Sequence, residues 1–216
     1  MARYDDLHAH PDGYRADPAT AALVTVDYQL AFGELEPVPG AQTALDSYRR
    51  LAAAWRRIGG LVIHLHTTFT SRAEAGLLND FAPGVVDALQ EGEPNSEFFP
   101  GVVEEGDLLV RKIRFSGVLG SNLLEILRDR QLDTAIVCGL TTPICVQSTV
   151  DALQMSDIRV ILAADACASQ ALGGVSAAEA HRVAVERMRY VMARVADSAT
   201  LSDEFSTKAK NAVVHK

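Results

Sequence analysis

The chain has 216 residues, 48% of them hydrophobic and 22% charged, with a formal net charge of −8. That size and balance suit one large α/β domain with a substantial core, and they exclude disorder over most of the length. The acidic balance, without any basic run, argues against nucleic acid or an anionic membrane as partner.

Residues 1–20 read as an N-terminal arm without periodicity, and 1–17 are too polar for a signal-peptide core. His8 and His10 in this arm have no further ligands at zinc-site spacing, so they read as solvated and no metal is expected. No stretch is long and apolar enough for a membrane span. The three cysteines, Cys138, Cys145 and Cys167, form no C-x-x-C pair and no even disulfide framework. Together these features fit a cytoplasmic protein.

Ala21 to Asp27 is an apolar, β-branched run that ends on an acid. In a parallel sheet ligands bind beyond the carboxyl ends of the strands, so Asp27 is a candidate base; taken alone it is better read as a solvated turn acid or helix cap. Ala41 to Ile58 has helical periodicity, with Arg49, Arg50, Arg56 and Arg57 on or beside the wet side. Leu61 to His66 is a second strand, with His64 and His66 on one face and His64 read as a hydrogen-bonded core residue. Residues 67–100 are rich in Gly and Pro, the composition of a lid or binding region. Asp107 to Lys112 is a third strand, and Ser116 to Arg130 is expected to be a helix. Ile158 to Ala163 is a strand, Ser176 caps a helix with Glu179 at capping-box distance, and Arg194 to Asp197 is a short last strand. From Ser198 onward the chain reads as loosely held.

The alternation predicts a single α/β domain over residues 21–200, followed by a tail over 201–216. Its fold is expected to be a Rossmann-like, three-layer one: a central, mostly parallel, six-stranded sheet with helices on both faces. No G-x-G-x-x-G follows the first strand and there is no P-loop, so no cofactor is expected.

The decisive stretch runs from Leu132 to Thr149, LDTAIVCGLTTPICVQST. A buried strand, Thr134 to Val137, ends at Gly139, and Thr141, Thr142 and Pro143 open a helix. Cys145 falls in the first helical turn, where unpaired N–H groups depress a thiol's pKa and can receive an oxyanion. A buried packing cysteine is the alternative reading. Asp27, Lys112 and Cys145 would gather at one sheet edge, where Asp27 could take the thiol proton and Lys112 could hold the thiolate.

These residues resemble the isochorismatase-like cysteine hydrolases over roughly residues 20–200. The likeness rests on Ala22–Gln29, on Lys112 to Ser116, on Cys138 to Thr149, and on Asp151-Ala152, Val160 to Ala166 and His181. The resemblance implies that Asp27 is the base, Lys112 the stabilising cation and Cys145 the nucleophile of an amidohydrolase. It also implies an oxyanion hole from the N–H groups of Thr141 and Cys145, and a cis peptide between Leu140 and Thr141. After the second strand, His66-Thr67-Thr68-Phe69-Thr70-Ser71-Arg72 lacks the Asp and two His of the family's metal-dependent nicotinamidases. Position alone makes Gln29, Phe32, His66, Arg114, Phe115 and Thr142 candidate substrate contacts. The expected function is hydrolysis of the C–N bond of a small amide, ureide or carbamoyl compound through a thioester. Vinyl ether hydrolysis of the isochorismatase type, or a non-catalytic binding role, is the alternative. A homodimer or homotetramer is expected by the same resemblance.

Overall fold

The computed structural model describes residues 14–34 and 37–214, so His8 and His10 lie outside the described residues. In chain order come β1 (Ala21–Val26), a one-turn helix α1 (Ala31–Glu34), α2 (Ala41–Arg57) and β2 (Leu61–Thr67). Three short helices follow, α3 (Arg72–Ala75), α4 (Leu78–Phe81) and α5 (Pro83–Ala88), before β3 (Leu108–Lys112) and α6 (Leu123–Asp129). The second half holds β4 (Thr134–Leu140), α7 (Gln147–Gln154), β5 (Arg159–Ala168), α8 (Ala177–Val191), β6 (Arg194–Ala196) and α9 (Ser198–Val214).

The six strands form one sheet in the order β3-β2-β1-β4-β5-β6, with every neighbouring pair parallel. Every residue of β1 and of β4 is buried, as their central positions demand. From β1 the chain steps outward to β2 and β3, and from β4 it steps the other way to β5 and β6. Right-handed crossovers in opposite directions put their helices on opposite faces. The reversal lies between β1 and β4, and a crevice opens there beyond their carboxyl ends.

The first half of the helix expected from Ser116 is irregular, and α6 begins only at Leu123. Gly117 lies so close to the sheet that a Cβ would sit 2.2 Å from Leu65 Cδ1. The Ser116 hydroxyl accepts from the N–H groups of Val118 and Leu119, which diverts them from helical pairing.

The loosely held tail is also corrected. Residues from Ser198 form α9, which buries Leu201 and Phe205, with the Phe205 ring 4.8 Å from that of Trp55 in α2. Asp165 fastens its start, accepting from Ser198 N–H at 2.7 Å and from its hydroxyl at 2.6 Å. Arg56 is likewise not solvated. It pairs with Asp107 at 2.6 Å, and Asp107 lies 2.9 Å from Nε2 of the fully buried His64. His64 is a bonded core histidine, its Nδ1 2.7 Å from Thr25 Oγ1. Ser176 caps α8, accepting from Glu179 N–H.

Candidate active site

Three parallel strands deliver Asp27, Thr67 and Lys112 to one edge. β1 ends at Val26, and Asp27 turns the chain in a left-handed conformation (φ 49°) that aspartate tolerates better than most residues. Thr67 and Lys112 are register partners at the ends of β2 and β3, so their side chains share a face. The Lys112 ammonium donates to Thr67 Oγ1 at 2.7 Å, and Thr67 Oγ1 donates to Asp27 Oδ1 at 3.0 Å. Lys112 Nζ also lies 2.7 Å from Asp27 Oδ2 and donates to the Arg114 carbonyl. Asp27 and Lys112 are both fully buried. Asp27 Oδ2 accepts no hydrogen bond of normal geometry despite the ion-pair contact, so one carboxylate oxygen stays open to a further proton.

Cys145 approaches from β4. Gly139 has φ 137°, and a Cβ there would meet Val26 O at 2.1 Å, so only glycine lets β4 pass this close to β1. The Leu140–Thr141 peptide is cis. A π-helical turn, Thr142–Val146, then carries Cys145 and runs into α7. Such turns concentrate at functional sites. The Thr149 hydroxyl donates to Cys145 O at 2.7 Å and accepts from Gly117 N–H, tying the Cys145 backbone to the irregular segment before α6.

Both charged groups act on the thiol electrostatically. Burial pushes the Cys145 pKa up to about 12; Lys112 pulls it down and Asp27 pushes it further up. The thiol is therefore protonated at rest, contrary to the depressed pKa that a helix start predicts. Burial works against the Lys112 ammonium, but Asp27 and Cys145 outweigh it and hold its pKa above the ordinary lysine value. By raising the thiol pKa, the Asp27 carboxylate favours the protonated thiol. The sign of the Asp27 effect gives a direct test. Wild-type Cys145 is expected to alkylate with iodoacetamide about tenfold faster per pH unit between pH 7 and 9, following its thiolate fraction. Asp27→Asn removes the group that raises the thiol pKa and leaves Lys112 to lower it. Alkylation at pH 7 should then quicken, as followed by mass spectrometry of the Cys145 peptide. Unchanged or slower alkylation would show that Asp27 does not hold the thiol proton.

Cys145 opens onto a pocket of about 170 Å³. Of the candidate substrate contacts, Phe32, Arg114 and Phe115 line it, and so do Thr141, Thr67, Phe69 and Gln170. Gln29, Thr142 and His66 stand outside its wall and have other work. The buried Gln29 amide donates to Thr67 O and Ser96 O and accepts from Thr67 N–H, clamping the loop to β2. Thr142 Oγ1 donates to Ala168 O and lies 2.8 Å from His181 Nδ1. His66 lies 3.1 Å from Thr68 Oγ1, with its ring against Phe98. Arg114 is exposed at the pocket's edge and donates to the carbonyls of Glu74 and Ile113.

Residues 21–200, which contain every group of this site, match the isochorismatase domain. The chain belongs to the isochorismatase family. A ureidoacrylate amidohydrolase RutB of Pseudomonas savastanoi pv. phaseolicola is 26% identical over 194 residues, covering 73% of this chain and 74% of that protein. A streptothricin hydrolase of Streptomyces noursei is 34% identical over 151 residues, 68% of this chain but only 49% of the relative. Among solved structures, a cysteine hydrolase from Pseudomonas syringae pv. phaseolicola 1448A superposes with a TM-score of 0.84 at 25% identity. That likeness covers 90% of this chain and 96% of the other. In this isochorismatase-family hydrolase, the stretch after β2 supplies Phe69, Leu78, Ala82, Val85 and Leu89 to the pocket wall. Thr67 and Gln170 were not singled out from the sequence. The register of Thr67 with Lys112 is a signal that pointed to the first, whereas nothing local marks the second.

Proposed function

We propose that this chain is a cysteine-dependent hydrolase that cleaves the C–N bond of a small amide, ureide or carbamoyl compound through a thioester. The observation that carries the reading is the convergence of Asp27, Lys112 and Cys145, all buried, at one end of a small pocket. The relatives named ureidoacrylate amidohydrolase support it.

Attack begins when Cys145 Sγ bonds to the substrate carbonyl carbon as Asp27 takes the thiol proton. The carbonyl oxygen becomes an oxyanion, received by the N–H groups of Thr141 and Cys145. Asp27 returns the proton to the departing nitrogen, the C–N bond breaks, and ammonia or an amine leaves. Water then gives a proton to Asp27 and bonds to the thioester carbon. The C–S bond breaks, the acid is released, and the Asp27 proton returns to sulfur. Lys112 keeps its charge throughout and offsets the negative charge that moves between sulfur and carboxylate.

The test is ammonia release from a panel of small amides, ureides and carbamoyl compounds, joined to acid quenching during turnover. The expected result is release with an acyl adduct on the Cys145 peptide. Release without an adduct on any cysteine would overturn the thioester route.

A further inference from the structure

We infer that the pocket selects a neutral amide with a compact apolar acyl group, and that Gln170 reads the substrate's N–H. This rests on the amidohydrolase reading and adds the substrate class to it.

Gln170 reaches the pocket through sheet register. Leu140 pairs with Ala168 across β4 and β5, so the residues that follow each strand, Thr141-Thr142 and Ser169-Gln170, leave the sheet edge side by side. The bond from Thr142 Oγ1 to Ala168 O, at 3.0 Å, fastens the two segments. The Ser169 hydroxyl donates to Gln170 O at 2.8 Å and fixes the backbone from which the amide projects. That side chain lines the same pocket as Thr141 and Cys145.

Its Oε1 is buried and accepts no hydrogen bond among the described residues. A buried amide oxygen without a donor is unfavourable, and a ligand N–H relieves it. The remaining walls decide what else the ligand carries. Phe32, Phe69, Val85, Leu89, Ile113 and Phe115 are apolar. The cation on the wall, Arg114, is exposed to water and already donates to two main-chain carbonyls. A substrate carboxylate gains little from a charge so placed. The volume of 170 Å³ is below the roughly 300 Å³ at which drug-sized sites begin, so the acyl group is small. One buried acceptor without a donor, mostly apolar walls and a screened cation describe a neutral primary amide or N-alkyl amide.

The experiment compares butyramide and benzamide with succinamic acid, which adds a carboxylate, and with methyl butyrate, which keeps the acyl group and lacks the N–H. Wild-type kcat/KM should favour the neutral amides over succinamic acid by about tenfold or more, because a carboxylate in an apolar pocket loses its hydration. Gln170→Met keeps length and apolar packing and removes the acceptor. It should lower kcat/KM about tenfold on butyramide, the loss of one hydrogen bond, and leave methyl butyrate within about twofold. Gln170→Leu should repeat that pattern with an unchanged melting temperature. An equal fall on amide and ester would make Gln170 a merely structural residue, and a preference for succinamic acid would hand selection to Arg114; either overturns the inference. Wild-type hydrolysis of the ester with no amide cleaved would instead overturn the amidohydrolase reading on which it rests.

Discussion

Cys145→Ala is expected to remove ammonia release by roughly four orders of magnitude or more while the protein stays folded. The whole proposed route passes through one sulfur, and no neighbouring group can form the acyl intermediate in its place. Cys138 and Cys167 are buried on the strands behind the site, and burial pushes both thiols up, Cys138 to about 12. Structurally the change is mild. It deletes one atom from a nearly buried position and leaves the Asp27–Lys112 pair and the Thr149 tie to the Cys145 carbonyl in place. Kinetics and thermal unfolding measured on the same preparation separate the two effects. Activity that survives the substitution would favour ether hydrolysis, which needs no thiol.

The second large effect is expected from Lys112→Met, which should abolish turnover and also destabilise the protein by about 3–5 kcal/mol. Methionine fills the space of the lysine stem, so packing is nearly conserved. Asp27 is left fully buried without the cation it pairs with, and Thr67 Oγ1 loses the donor that orients it. At 2–4 °C per kcal/mol for a domain of this size, the melting temperature should fall by about 10 °C. The pair itself is weak evidence of stabilisation, because two desolvated charges often do no better than apolar residues. That argument makes a second variant informative. Asp27→Asn with Lys112→Met removes both charges, retains a residue suited to left-handed backbone, and should recover at least half of the lost stability with no activity. Failure to recover would mean that Lys112 supports the fold by packing and not as a counter-ion.

The sheet was largely legible because central parallel strands are apolar on both faces and rich in β-branched residues. Ala21 to Val26 could be read almost to the residue, and Thr134 to Val137 marks the first part of a strand that runs on to Leu140. The candidate groups Asp27 and Lys112 were legible as polar residues where such runs stop. What escaped depended on tertiary context. Ser116 to Ser121 carries helical spacing, but close packing of Gly117 on Leu65 and the serine hydroxyls override it. α9 owes its place to Trp55 and Asp165, which are distant in sequence. Gln29 looked like a ligand for substrate because it follows Asp27, yet its three hydrogen bonds all go to the main chain of Thr67 and Ser96. The thiol's protonation was misread because a helix start was weighed without the burial and the Asp27 carboxylate that outweigh it.

β3, which ends at Lys112, is the outermost strand on its side of the sheet and is paired only to β2. Strands at a sheet margin open more readily than the centre. Asp27 and Cys145 follow the central strands β1 and β4, and Lys112 belongs to the fringe. In the proposed mechanism, competence is therefore tied to a margin of the sheet, so brief fraying of β3 would silence turnover while nearly all of the fold remained intact.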